Sequence, residues 1–267
     1  MDTDFVKVVE AAQQGDRRAL EQVVLNSQDR IYGLARRMLV DPEDALEATQ
    51  EVLILIVTKL STFRGESTFS TWTYRIAVNY LVNAKKSRDR DRGLTFEMFK
   101  ADLETGLQAE PELPADSAVL LNELRISCTM AMLLCLDTKH RVAYVLGDIL
   151  EMEHAEAAVI LDLSKSNYRQ RLSRARAKVV EFTSQNCGLA NDNARCRCDR
   201  RLATAKAAGR VTGERTEFLN KNSPAYASVV EKVRRVEGDL KTLTLQTATP
   251  NFRSPRELGS LIMQIVG

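Results

Sequence analysis

Trp72, Tyr74 and Tyr80 sit among Arg64, Arg75, Lys85 and Lys86 in the stretch FRGESTFSTWTYRIAVNYLVNAKK, residues 63–86. Cations hold a phosphate backbone by charge, and flat rings stack on bases that have left a duplex. A segment carrying both suits a protein that opens DNA. Ser67, Thr68, Ser70, Thr71 and Thr73 add hydroxyls fit for phosphate oxygens, and Arg75 and Asn79 follow Trp72 one and two turns later on the same helical face. A ring at position 72 can hold a separated base step open, because extruding one base costs only a few kcal/mol. A lone tryptophan is more often a core residue, and that reading stands beside the first.

A second constellation lies in HAEAAVILDLSKSNYRQRLSRARAKV. It divides into a short apolar helix (His154 to Leu161), a tight turn (Asp162-Leu163-Ser164) and a long basic helix (Lys165 to Val179), which is the grammar of a helix-turn-helix. Ser164 is placed to cap the second helix, and Leu172 and Val179 face its partner. Ser166, Asn167 and Gln170 near the start of that helix can reach base edges in the major groove, while Lys165, Arg169, Arg171, Arg174 and Arg176 grip phosphates or guanine acceptors. The bland alternative is a solvated charged face.

Cys187, Cys196 and Cys198 form a third group. Three soft ligands in a short segment suit zinc or copper, yet a closed zinc site wants four, so His140, His154 or Asp192 would have to complete it. A redox pair of Cys187 and Cys196 is the rival, with neighbouring arginines lowering the thiol pKa values. Unpaired, inert cysteines are the third reading. Cys128 and Cys135, on an apolar helix, are expected to be core packing.

The elements that must position these groups are helices throughout. The chain has 267 residues, 44% hydrophobic and 28% charged, enough for more than one modest core. Its net charge of +2 argues neither for nor against a polyanion, but the charge sits in blocks: basic over 75–92, acidic over 97–123, basic over 165–178 and 195–215. Leu20, Val23, Val24, Ile31, Leu34 and Leu39 recur at helical spacing without strand-like alternation, so the expected fold class is all-α. Asp41-Pro42-Glu43-Asp44 starts a long helix that turns Leu46, Leu53, Ile56, Val57 and Leu60 inward and leaves Asp44, Glu47 and Glu51 on another face. From Asp89 to Asp116 periodicity fades, prolines appear and acids dominate, which predicts a linker. Beyond Thr183 two more helices are expected, one with Tyr226, Val229, Val230, Val233 and Leu240 on one side. The other opens on the capping-box pattern of Ser254 to Glu257 and buries Leu258, Leu261, Ile262 and Ile265. No apolar run approaches the ~20 residues that span a bilayer, and no leader pattern opens the chain, so a cytoplasmic protein without membrane contact is expected. Two histidines, no glycine-rich phosphate loop and no evident nucleophile with its base disfavour an enzyme.

DALEATQEVLILIVTKLSTFRGESTFSTWTYRIAVNYLVNAKK resembles the second conserved region of bacterial sigma factors of the extracytoplasmic-function group, and Asp137 to Lys178, ending in S-R-A-R-A-K, resembles their fourth region. The resemblance implies a region 2-like helical domain over residues 1–92, an acidic linker over 93–117, a region 4-like domain over 118–183 and a cysteine-containing extension over 184–267. It implies an alternative sigma subunit of RNA polymerase, with Asp44, Glu47, Gln50 and Glu51 docking on the β′ clamp helices. The polymerase β flap, promoter DNA and a candidate anti-sigma factor are the further partners implied. Ser67, Ser70, Thr71, Trp72, Arg75, Asn79, Lys85 and Lys86 would bind and melt the minus-ten element, and the helix from Lys165 would read the minus-thirty-five element. No cofactor is required for this, and zinc or copper in the extension is an added candidate, as is control of the whole by its last helix. The chain departs from the family pattern at Leu46, Glu47, Leu53, Asp162, Asn167 and Tyr168. The alternative function is a helix-turn-helix regulator that binds duplex DNA without polymerase.

Overall fold

The computed structural model describes residues 3–87, 93–113, 117–211 and 223–266. Helices are the regular elements of these residues: α1 (Thr3–Gln13), α2 (Arg17–Leu39), α3 (Pro42–Thr58), α4 (Phe69–Ser87), α5 (Phe96–Glu104), α6 (Ser117–Leu134), α7 (Thr138–Tyr144), α8 (His154–Ile160), α9 (Lys165–Asn186), α10 (Cys198–Ala207), α11 (Tyr226–Arg234), α12 (Asp239–Thr247) and α13 (Gly259–Val266). The all-α expectation holds. The chain forms two compact units, one of residues 1–90, 152–168 and 252–267, the other of 91–151 and 169–251.

In the first unit, α2 and α3 make the central pair. Asp16 caps α2 by accepting from the amides of Arg18 and Ala19, and Asp41 caps α3 at the amide of Asp44 (2.9 Å), with Pro42 in the first turn where no N–H is needed. Val23, Val24, Ile31 and Leu34 of α2 meet a core that also holds Ala45, Val52, Leu53 and Ile56 of α3, all fully buried. Glu47 and Glu51 stay exposed on the opposite side of α3.

The segment from Phe252 onward belongs to this unit rather than to a separate C-terminal body. Its course runs antiparallel to α2. The Phe252 ring lies under the guanidinium carbons of Arg36 and Arg37, at 5.3 and 4.9 Å. The Ser254 amide donates to Asp29 Oδ1 (3.0 Å), the Leu258 amide to Gln28 Oε1 (2.9 Å), and Arg17 Nη2 to the Met263 carbonyl (3.2 Å). Residues 254–258 are therefore not the first turn of a helix, contrary to the capping-box expectation: the Ser254 and Leu258 amides are satisfied by α2 side chains, and α13 begins only at Gly259. It buries Ile262 and Met263 behind Leu258, whereas Leu261 and Ile265 are exposed.

In the second unit, α6 is the central helix. By length and composition it could cross a bilayer, which the expectation from apolar runs missed, but most of its residues are buried in the protein. Asn122 and Arg125 are buried on it: Asn122 Nδ2 donates to the Pro224 carbonyl (2.8 Å), and Arg125 Nη2 to the Ala248 carbonyl (3.0 Å) and Asn122 Oδ1 (2.9 Å). Both groups thereby tie α6 to the extension. Leu202, Ala205 and Val211 pack on Leu120, Leu121 and Leu124, while Val229, Val233 and Leu245 form a smaller cluster. Leu240 is exposed and does not share the α11 face: α11 ends at Arg234, and Leu240 lies on α12, whose N-cap is Gly238 at φ 54°. The acidic stretch expected to be only a linker holds α5, capped by Thr95, with Phe99 and Leu103 buried and the Phe96 and Phe99 rings 5.1 and 5.3 Å from Phe182.

Candidate nucleic-acid interface

Helix α4 carries the aromatic and basic residues, but not all of them face outward. Tyr74 is buried, and its burial pushes the phenol pKa up. It is a core ring rather than a platform for bases. Trp72 is half-buried, packed at 5.5 Å from Phe63 and 5.6 Å from Phe69, which in turn meets Phe5 at 5.7 Å. That cluster packs one side of the indole and leaves the residue partly exposed. Arg75 and Asn79 are exposed one and two turns beyond it.

The hydroxyls divide likewise. Thr73 is buried and donates to the Ser70 carbonyl (2.9 Å), and Ser70 Oγ accepts from Arg30 Nη1 (3.2 Å). Thr71, also buried, donates to Glu156 Oε1 of α8 at 2.7 Å. Ser67 is half-buried in the leading loop. Lys85 and Lys86 lie in the last turn of α4, and their side chains are outside the described residues.

The helix-turn-helix is formed as the spacing requires. α8 ends at Ile160, Asp162 takes φ 53°, and Ser164 Oγ accepts from the Asn167 amide at 3.1 Å to cap α9. The left-handed turn position is one that Asp tolerates better than most residues. Tyr168 is fully buried with its ring edge-on to His154 at 5.7 Å, so it belongs to the motif's core and not to a reading face. Lys165, Ser166, Asn167, Arg169, Gln170 and Arg174 are exposed, and Arg171 is partly so. Arg176 is engaged elsewhere: its Nε and Nη2 bond Asp148 Oδ2 and Oδ1 at 2.8 and 2.5 Å. A bidentate pair with a carboxylate only 4% exposed makes Arg176 an anchor of α9.

On α3, Glu47 and Glu51 are exposed, with Asp44 and Gln50 partly so. Leu46, at a position where an acid is frequent in the family pattern, is buried.

The three cysteines of the extension do converge, with a fourth that local spacing could not reveal. Cys128 of α6, Cys187, Cys196 and Cys198 line one cavity of about 40 Å³ together with Leu124 and Met132. Cys187 and Cys196 pair through their backbones as an isolated parallel bridge, in which the Gly188 amide donates to the Cys196 carbonyl (2.8 Å). Among the described residues, no three His, Cys, Asp or Glu side chains are grouped to hold a metal ion. The thiols are not activated by the arginines around them. Burial dominates, pushing Cys196 up to about 11 and Cys198 up to about 12, and Arg201 and Arg125 offset only part of this.

Known proteins match the chain in two stretches, the second of which crosses between the two compact units. Residues 23–91 match the Sigma-70 region 2 family, and residues 126–179 match the family described as Sigma-70, region 4. The chain is 30% identical over 176 residues to the RNA polymerase sigma-H factor of Pseudomonas aeruginosa, which covers 65% of this chain and 90% of that protein. It is 30% identical over 179 residues to the ECF RNA polymerase sigma-E factor of Escherichia coli K12, covering 66% and 92%. A solved structure, CnrH in complex with the cytosolic domain of CnrY, matches 66% of this chain and 94% of its own at 24% identity and a TM-score of 0.47. On these matches the chain belongs to the sigma-70 family of RNA polymerase sigma factors, in the extracytoplasmic-function group.

Proposed function

We propose that this alternative sigma factor docks on core RNA polymerase through the acidic side of α3, captures the unpaired minus-ten strand on α4, and reads the minus-thirty-five duplex with α9. The reading rests above all on two DNA-directed elements of different chemistry in one chain. Trp72, held by Phe63 and Phe69 beside exposed Arg75 and Asn79, suits a base out of its stack. The capped, basic α9 suits an intact groove. A regulator that only reads duplex DNA needs neither the Trp72 face nor exposed Glu47 and Glu51.

Phosphate and base contacts supply binding and strand capture, and the polymerase supplies the chemistry, so the chain's part requires no catalytic group. Its place of work is then the cytoplasm, with the transcription machinery. Control by the extension takes a narrower form than a cover over the whole face, because α13 runs along α2 while Glu47 and Glu51 remain exposed.

The test is reconstitution. Purified protein added to core polymerase should yield promoter-specific transcripts from genomic templates, and replacing both Trp72 and Arg75 by alanine should abolish strand opening while leaving the complex with core intact. Undiminished opening by the double variant would overturn the assignment of α4.

A further inference from the structure

Within the second unit, α5, α6 and α10 border a groove of about 400 Å³ that lies apart from the DNA- and polymerase-directed residues. Its apolar walls are Met98, Phe99 and Leu103 of α5, Leu124 and Ala131 of α6, and Ala205 of α10. Three charged side chains complete the lining: Asp102 Oδ2 accepts from Arg201 Nη2 at 2.7 Å and from Arg210 Nη1 as well. One carboxylate oxygen thus serves two guanidiniums, which leaves a unit of positive charge beside an apolar trough. We infer that this groove binds a small monocarboxylate with an aliphatic body, its chain against α5 and α6 and its carboxylate on Arg210.

The groove has a fixed frame. Arg201 Nη1 donates to the Thr105 carbonyl (2.6 Å), Thr204 Oγ1 to the Gly106 carbonyl (2.5 Å) and the Gln108 amide to the Arg200 carbonyl (3.1 Å), so the loop after α5 is tied to α10 without a ligand. A preformed wall spares the cost of ordering it on binding. The polar groups are few and differently held. Arg201 is 3% exposed and locked by its two acceptors, whereas Arg210 is 46% exposed and bonds an oxygen that Arg201 already serves. Arg210 is therefore the cation that an incoming carboxylate takes over, while Arg201 keeps Asp102 paired. Ser127, on the α6 wall, makes no side-chain hydrogen bond among the described residues, which leaves a donor for the second carboxylate oxygen. Met98 is 56% exposed, a flexible apolar side chain in water that the ligand's body would cover.

Size and charge select the ligand. The volume falls within the range of about 300–1,000 Å³ in which small molecules are held. A neutral apolar molecule leaves the surplus charge unmatched, and a cation meets it head-on, so a single carboxylate on an apolar chain is the fitting partner. Ser127 and Ala131 belong to the stretch 126–179 that matches Sigma-70 region 4, whereas Arg201, Ala205 and Arg210 lie beyond it. A bound molecule would join the matched region to the extension and stabilise the unit in proportion to its occupancy.

The test is a calorimetric titration of the full chain with octanoate, with octanol and octyltrimethylammonium as neutral and cationic counterparts of the same length. Three variants accompany it: Arg210→Gln, Ala131→Trp, and Lys232→Gln, which removes a positive charge from an exposed position on α11. The expected result is saturable binding of one octanoate per chain, a melting temperature that rises with octanoate, weaker binding of octanol and none of the cation. Arg210→Gln should weaken octanoate roughly tenfold, the scale of one charge-assisted hydrogen bond partly open to water, and bring it level with octanol. Ala131→Trp fills the groove and should remove both, while Lys232→Gln should change neither. Octanol binding as tightly as octanoate, an unchanged affinity in Arg210→Gln, an equal loss in Lys232→Gln, or no saturable binding of octanoate would overturn the site. Arg210 is half in water, so its variant is expected to keep its fold by circular dichroism and decides the matter even where the tryptophan is not accommodated.

Discussion

Arg176 holds Asp148 by two parallel hydrogen bonds, across a step of chain that joins the π-helical turn Val145–Ile149 to the middle of α9. The carboxylate is 4% exposed and the guanidinium about half exposed. Replacing Arg176 by alanine leaves a buried charge without its partner, and the second unit should lose about 2 kcal/mol, below the full cost of breaking a buried pair because water reaches the arginine. Thermal unfolding checks this, and the Asp148→Asn/Arg176→Gln double variant should recover part of the loss. Arg174→Ala, on the exposed side, should keep the melting temperature and weaken duplex binding, reducing the salt slope by about 1.

The two faces of α9 also show what sequence could and could not disclose. Ser164, Asp162 and the short apolar run before them specify the helix-turn-helix locally, because caps and a left-handed turn position are properties of adjacent residues. Arg176 reads like its neighbours in S-R-A-R-A-K, and only the distant Asp148 makes it structural. The same limit hid α5, whose Phe96, Met98, Phe99 and Leu103 lie among acids, and hid Cys128 as a neighbour of Cys196 and Cys198. Tyr74 and Trp72 differ in exposure because two residues of helix turn a side chain by about 200°. Which of them faces inward depended on Phe63 and Phe69, placed by tertiary packing.

Trp72 should therefore show two separable effects. Trp72→Ala removes a ring from the Phe5–Phe69–Phe63 cluster and should cost the first unit about 2 kcal/mol, less than for a fully buried aromatic. Trp72→Phe should restore much of that stability. Melting of promoter DNA, followed by permanganate reactivity in the presence of core polymerase, should fall with alanine and recover with phenylalanine, since a smaller ring still stacks.

Phe252 is the clasp of the C-terminal segment. Its ring is buried against Arg36 and Arg37, and burial draws the Arg37 pKa down to about 10. Phe252→Ala removes apolar contact and the cation–π attraction together, so a loss of about 3 kcal/mol is expected in the first unit. Limited proteolysis should then cut after residue 250 at low protease concentration. Binding to core polymerase should persist in the cleaved protein, because Glu47 and Glu51 are exposed with the segment in place.

The buried thiols give the second unit a defined alkaline limit. An unfolded cysteine titrates near pH 8.5, whereas Cys196 and Cys198 are held near 11 and 12, chiefly by burial. A group whose folded pKa is raised stabilises fully below its unfolded value, and that contribution is lost as pH rises through the folded one. Stability should thus be level below about pH 8 and decline between roughly pH 9 and pH 12, steeply enough to be read from melting temperatures. Tyr226, pushed up by burial beside Cys198, adds to the upper part of the decline. The Cys196→Ala/Cys198→Ala double variant should flatten it, and at about pH 7.5 iodoacetamide should modify these positions only when denaturant opens the unit, because the thiolate is the reactive form. Rapid labelling of the folded protein at that pH would show that burial does not govern these thiols.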